Sequence, residues 1–214
     1  MTEIELAEPI IAWLRDHKWE VYQEVDLGNG VADIVALMGR RVWIIEVKQS
    51  FSLAVIAQAA RWSYCAHWCS IAVPSSKQYL IRHFAERICR DYGIGVLYPR
   101  KNHVEERVPA ALHRKADTQH VIKHLKEEQK TFAKAGNSNG QRWTPFKATC
   151  REIERFVSEH PGCNLKQLIS GIETHYSSPA SARGCISHWL ANGVIKGIRI
   201  ESNGKSVALY TEKP

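Results

Sequence analysis

Asp33 is followed thirteen residues later by Glu46-Val47-Lys48, two carboxylates and an amine set in otherwise apolar segments. Val31-Ala32-Asp33-Ile34-Val35-Ala36-Leu37 and Val42-Trp43-Ile44-Ile45-Glu46-Val47-Lys48 both read as strands covered on two faces. Gly39-Arg40 between them suits a two-residue turn with glycine first, the type II′ preference. With those two residues as the loop, Met38 faces Arg41 and Asp33 faces Glu46, while the two-residue side-chain period puts Lys48 on the face of Glu46. Opposed residues carry Cβ atoms about 4.5–5.5 Å apart. Two carboxylates so close in a partly desolvated site cannot both stay ionised cheaply, so one takes a proton or a cation sits between them. Few ligands, all of them oxygen, select a hard ion that keeps waters and accepts phosphate oxygens: Mg²⁺ or Mn²⁺ rather than Zn²⁺.

The elements that must position these groups follow from periodicity and punctuation. Thr2-Glu3-Ile4-Glu5 reads as a capping box that starts a helix with apolar positions Ile4, Ala7, Ile10, Ile11 and Leu14. A first strand is expected over Trp19 to Val25, and Leu27-Gly28-Asn29-Gly30 turns it into the Asp33 strand. A long apolar helix over Ser52 to His67, a strand at Ser70 to Val73, an amphipathic helix over Lys77 to Asp91 and a strand at Ile94 to Tyr98 complete an α/β domain over residues 1–110. Residues 111–142 are expected to hold a charged helix, roughly Ala116 to Lys134, and a flexible linker from Ala135 to Gln141. Residues 143–214 then give three helices, opened by Phe146, by Asn164 with Gln167, and by Ser178-Pro179, before a terminal hairpin around an Asn203-Gly204 turn. Three helices and a hairpin in so short a span predict a winged helix-turn-helix domain.

The Asp33 and Glu46-Val47-Lys48 pattern, with its apolar flanks and its order of elements, resembles the PD-(D/E)XK nuclease superfamily over about residues 1–100. Gln58-Ala59-Ala60-Arg61-Trp62 is similar to the glutamine-plus-aromatic motif of its RecB-like members. Ala32 stands where many members have proline, a position that varies in the superfamily. The resemblance implies a restriction-endonuclease-like αβββαβ core with a mixed sheet and a metal-dependent nuclease activity. Carried over by position, Asp33 and Glu46 would ligate the metal with the Val47 carbonyl as a third oxygen. Lys48 would position the attacking hydroxide and offset charge on the phosphate, and Gln58 would point toward the lysine or the metal water. The family often adds a glutamate from the first helix. Here Glu3 is favoured over Glu8, with a plain role for Glu3 and Glu5 as first-turn acids beside it.

Composition narrows the partners. Residues 1–100 hold 11 Lys/Arg and 11 Asp/Glu, residues 101–145 hold 9 and 5, and residues 146–214 hold 9 and 6, so the formal +7 lies entirely in the middle and C-terminal parts. A basic excess so placed suits a polyanion, and DNA is the expected partner. In the third C-terminal helix Ser181, Arg183 and His188 are the candidate groove contacts, and Arg199, Asn203 and Lys205 are candidates on the wing. Double-strand cutting by a one-site chain would call for a homodimer, and unwinding would call for a helicase or other DNA-processing partner, since no P-loop is present. The rival reading is a non-catalytic DNA-binding regulator or assembly protein on the same scaffold. A phage or bacterial origin rests on analogy alone.

Other residue types have plainer readings. Cys65 and Cys69 are expected as buried thiols ending an apolar helix rather than a zinc pair, and His120 with His124 as an exposed polar face. Trp13, Trp43, Trp62 and Trp189 are expected in the core, and Glu24 as a solvated strand end. No apolar run approaches the ~18–20 residues of a membrane-spanning helix, and the acidic N-terminus lacks the basic start of a secretory signal. A cytoplasmic chain with reduced cysteines is expected.

Overall fold

The computed structural model describes residues 2–75, 78–101, 103–131, 134–136, 144–203 and 206–212. The chain divides into two compact units, Met1–Trp143 and Thr144–Pro214. No helix among the described residues is long and apolar enough to cross a membrane.

The first unit is α/β. Helix α1 (Glu3–Asp16) starts at a capping box, the Thr2 hydroxyl accepting from Glu5 N–H while the Glu5 carboxylate takes the Thr2 N–H. Strands β1 (Glu20–Asp26), β2 (Val31–Met38) and β3 (Arg41–Val47) follow. Helix α2 (Leu53–Ala60) then runs into a 3₁₀ turn at Arg61–Tyr64, so the helix expected to His67 stops earlier and Cys69 lies in a strand instead. Strand β4 (Trp68–Ala72), helix α3 (Tyr79–Asp91) and strands β5 (Gly95–Pro99) and β6 (Val104–Val108) complete a mixed six-stranded sheet in sequential order. The first three strands are antiparallel, β3, β4 and β5 are parallel, and β6 returns antiparallel.

Alternation along the strands divides the core between the two faces of the sheet. Leu6, Ala7, Ile10, Ile11 and Leu14 of α1 pack on Val21, Ile34, Ala36, Trp43, Ile45 and Val47. The opposite parity in β3, Val42 and Ile44, packs with Val35 and with Trp62, Cys65 and Ala66 that follow α2. Gly39 has φ +61 at the first position of the β2–β3 turn, which a side chain would strain.

The expected charged helix over residues 116–134 is replaced by α4 (Thr118–Ile122) and a 3₁₀ turn at Glu127–Lys130. Side-chain bonds take over what helical bonds would have supplied. The Gln129 amide accepts from Lys126 N–H and donates to the His124 carbonyl, and the Lys130 carbonyl accepts from Arg15 and Gln23. Ala135, expected in a flexible linker, is fully buried and donates its N–H to Gln23 Oε1. Residues 137–141 lie outside the described residues.

The second unit has helices α5 (Pro145–Glu159), α6 (Leu165–Gly171) and α7 (Pro179–Ala191) and a hairpin of β7 (Ile198–Asn203) and β8 (Ser206–Thr211). Each helix is capped by its own sequence: Thr144, Asn164 and Ser178 accept from the N–H groups of Lys147, Gln167 and Ser181. Ile153, Val157, Leu168, Ala182, Ile186, Leu190 and Leu209 form a core of its own. Asn203 pairs with Ser206, which makes it a strand residue rather than part of the turn.

Candidate active site

The ladder between β2 and β3 runs from Met38↔Arg41 to Ile34↔Ile45. One further step in that register sets Asp33 opposite Glu46. There the ladder opens. The alternation of an antiparallel pair makes Ala32 and Val47 the next partners to exchange backbone bonds, yet the Val47 N–H goes to Asp33 Oδ2 at 2.8 Å. The Val47 carbonyl accepts from Lys48 Nζ at 3.0 Å. A carboxylate thus stands where a peptide oxygen would have been, and the peptide oxygen of Val47 is turned over to the site.

Lys48 is the hub. Its Nζ lies 2.9 Å from Asp33 Oδ2 and 3.4 Å from Glu3 Oε2. Burial pulls its pKa down, but the Asp33 carboxylate, with Glu3 and Glu46 behind it, raises it overall and keeps the amine charged. Of the two helix-borne acids, Glu3 reaches the lysine, whereas Glu8 pairs with exposed Lys134 at 2.9 Å.

Glu46 is 2% exposed and Asp33 is 8% exposed. Burial, and then the neighbouring Asp33 charge, push the Glu46 carboxyl up to about 7, against the lowering effects of the Trp62 hydrogen bond, Lys48 and Arg61. The Trp62 indole donates to Glu46 Oε1 at 2.6 Å, which fixes one carboxyl oxygen. Arg61 lies over the Trp62 ring at 4.4 Å, donates to the Val31 carbonyl at 3.3 Å and stands 3.8 Å from Glu46 Oε1.

The Gln58 amide oxygen is buried with no hydrogen-bond partner, an exceptional state for a polar atom. Two opposed carboxylates, a freed peptide carbonyl and an unsatisfied amide oxygen form an oxygen donor set of the kind a hard divalent cation takes. No group of three or more His, Cys, Asp or Glu that could hold a metal occurs among the described residues, so any cation here would complete its shell with the carbonyl and water.

Two residues of the Gln58-Ala59-Ala60-Arg61-Trp62 motif have roles the sequence did not assign: Trp62 is core, as expected, but its N–H also holds a site carboxylate, and Arg61 stands beside that carboxylate. A third participant lies outside any motif. Glu24, expected at a solvated strand end, is 9% exposed, has φ +54 and accepts from Gly136 N–H at 2.8 Å. It falls opposite Asp33 in the β1–β2 register, at the one step of that ladder where no pair forms.

In the second unit Ser181, Arg183 and His188 are exposed on α7. Arg199 is exposed on β7, where it pairs with Glu201 at 2.8 Å. Asn203 has its backbone in β7, and Lys205 lies outside the described residues. Cys65 and Cys69 are both buried, and burial pushes the Cys69 thiol up to about 12. His120 and His124 are each within hydrogen-bond distance of a backbone carbonyl, those of Leu27 and His120.

No family model matches the chain, and no curated protein matches it. A solved protein of unknown function from Silicibacter pomeroyi is similar at 22% identity, with a TM-score of 0.39, over 55% of this chain and 77% of that one.

Proposed function

We propose that the chain is a metal-dependent nuclease that hydrolyses DNA phosphodiester bonds, with the second unit serving as a winged helix that holds the substrate. The observation that carries this reading is the opening of the β2–β3 ladder at Asp33 and Val47, which puts two carboxylates, a peptide carbonyl and an ammonium group at one point. A purely structural ion pair needs no interruption of the ladder.

Asp33, Glu46 and the Val47 carbonyl would hold Mg²⁺ or Mn²⁺, which when bound supplies Lewis acidity toward a phosphate oxygen and lowers the pKa of water. With a cation held there Glu46 would serve as the carboxylate, although burial and then the Asp33 charge raise its pKa, and Trp62 would keep Oε1 in place. Lys48, held by Asp33 and Glu3, would turn toward the attacking oxygen the N–H that the Val47 carbonyl now takes, and would offset the charge that develops on phosphorus. The Gln58 amide oxygen is placed to accept from a water. In the second unit the exposed face of α7, with Ser181, Arg183 and His188, would enter a groove while Arg199, Asn203 and Lys205 meet backbone phosphates or the minor groove.

The full-length protein, incubated with Mg²⁺ or Mn²⁺, is expected to cut DNA, and Asp33→Ala or Lys48→Ala to lower the rate at least ~100-fold with the thermal melt retained. A wild-type protein that binds DNA but leaves duplex, single-stranded, branched and RNA substrates intact with both metals would overturn the enzymatic reading. The rival, a DNA-binding regulator, draws on one observation: the Lys48 amine is already fully engaged by Asp33, Glu3 and Val47.

A further inference from the structure

At the turn end of the β2–β3 hairpin, away from Asp33 and Glu46, a cavity of about 500 Å³ is lined by Arg41, His67, Trp68, Leu112 and Arg114. We propose that this cavity binds a nucleotide unit, its phosphate taken by the two guanidinium groups and its base stacked against Trp68. The inference deepens the nucleic-acid reading above and rests on it for the ligand class, although binding here requires no cleavage.

The cavity is assembled by backbone bonds between three distant segments. The His67 N–H donates to the Val42 carbonyl, and the His113 N–H donates to the His67 carbonyl at 2.8 Å. Arg41 at the start of β3, Trp68 at the start of β4 and Arg114 are thereby brought to one place. The Val42 N–H donates to His67 Nδ1 at 3.2 Å. That bond leaves the proton of the neutral imidazole on Nε2, so the ring offers a donor.

Charge and shape both favour a phosphorylated base. Arg41 and Arg114 are exposed, neither has an ion pair with a described carboxylate, and the lining contains no acid. Guanidinium groups match phosphate geometry in a bidentate manner. Trp68 is only partly buried and is braced edge-on by Trp19 at 6.1 Å, with Trp43 beyond it at 5.9 Å from Trp19. A partly exposed indole locked by other indoles is a preformed stacking platform, the arrangement that single strands use without sequence preference. Trp68 also lines a smaller cavity of about 230 Å³ with Trp19, Trp43, Glu106 and Ala110. Glu106 is the acid of that second cavity, which directs the phosphate to the arginine side. Seven residues of extended chain separate Arg41 from Lys48, ~23 Å, a span that about seven nucleotides of one strand cover.

The test uses the full-length protein in EDTA, so that cleavage plays no part. Deoxyadenosine 5′-monophosphate is titrated by calorimetry and a labelled twenty-nucleotide oligothymidylate by fluorescence anisotropy, against wild type and Arg41→Glu/Arg114→Glu. The charge-reversed protein is expected to bind at least one probe tenfold more weakly, with the salt slope for the strand reduced by about 1.4 for two lost phosphate contacts. Loss with the mononucleotide assigns the cavity to free nucleotides, and loss with the strand alone assigns it to nucleic acid. Should both probes bind variant and wild type alike, or inorganic phosphate bind as well as the mononucleotide, the proposal is overturned. The neutral pair Arg41→Gln/Arg114→Gln provides the same comparison if charge reversal impairs folding. Absence of cleavage in the metal assays would overturn the nuclease reading while leaving this comparison intact.

Discussion

Glu46 concentrates the electrostatic cost of the site in one carboxyl group. Its folded-state pKa is raised from 4.5 to about 7. Below about pH 4.5 the group is protonated in both the folded and unfolded chain and has no effect on stability. Between about 4.5 and 7 the unfolded chain releases the proton while the folded chain keeps it, so stability falls as pH rises, by up to ~1.4 kcal/mol per pH unit. Above about 7 the whole loss, roughly 3 kcal/mol, is in force. Glu46→Gln keeps an oxygen for the Trp62 N–H and removes the titration. In EDTA it is therefore expected to match wild type near pH 4.5 and to exceed it at pH 8 by as much as ~3 kcal/mol, measured by urea denaturation at several pH values. Millimolar Mg²⁺ should raise the wild-type melting temperature at pH 8 and leave that of the Gln variant unmoved. Parallel pH profiles for the two proteins would show that Glu46 is not the group that bears the cost.

The strands around this carboxyl show what sequence can and cannot convey. The β2–β3 register was legible because a two-residue turn headed by glycine admits one pairing, and that pairing sets Asp33 against Glu46. The change of phase in the neighbouring strands was not. On β1 both Tyr22 and Val25 join the α2 side of the core, as do Val35 and Ala32 on β2, although each pair is separated by an odd number of residues. Alternation therefore shifts between them on both strands at the level of Glu24 and Asp33, while the Cα register stays in step on either side. The device is the left-handed backbone of Glu24, and a glutamate at φ +54 has no sequence signature. Strand β6 was missed for a different reason: Val104-Glu105-Glu106-Arg107-Val108 is a polar edge strand whose charges hide the period. Glu24 allows the backbone argument to be tested without reference to its side chain. Glu24→Ala and Glu24→Gly both lose the bond to Gly136, but only alanine retains a Cβ in left-handed backbone. The glycine variant should be the more stable of the two by about 1 kcal/mol in urea denaturation, the reverse of the usual order in a strand. If alanine proves equal or better, the strain does not reside in this residue.

Across the whole chain, the proposed function would have the neutral residues 1–100 and the basic excess beyond them separate two tasks that would conflict in one place. Acids grouped to receive a cation repel the DNA backbone, so a basic surface elsewhere has to hold it. On the proposed reading the second unit would be that surface, and its three helices carry their own caps while its apolar side chains close a separate core. The buried segment at Ala135 and Gly136 belongs to the first unit, tied to Gln23 and Glu24. A chain ending at Gly140 therefore keeps every bond that shapes the Asp33–Glu46 opening. It is expected to melt as a folded protein and to retain metal-dependent stabilisation, while its affinity for a DNA duplex falls and the dependence of binding on salt becomes shallower, by about 0.9 in log–log slope for each phosphate contact removed. Duplex binding titrations at several salt concentrations measure both. An unchanged slope would place the phosphate contacts on the first unit and deprive the second of its assigned role, whereas a truncated chain that fails to fold would show that the two cores are less independent than their separate packing requires.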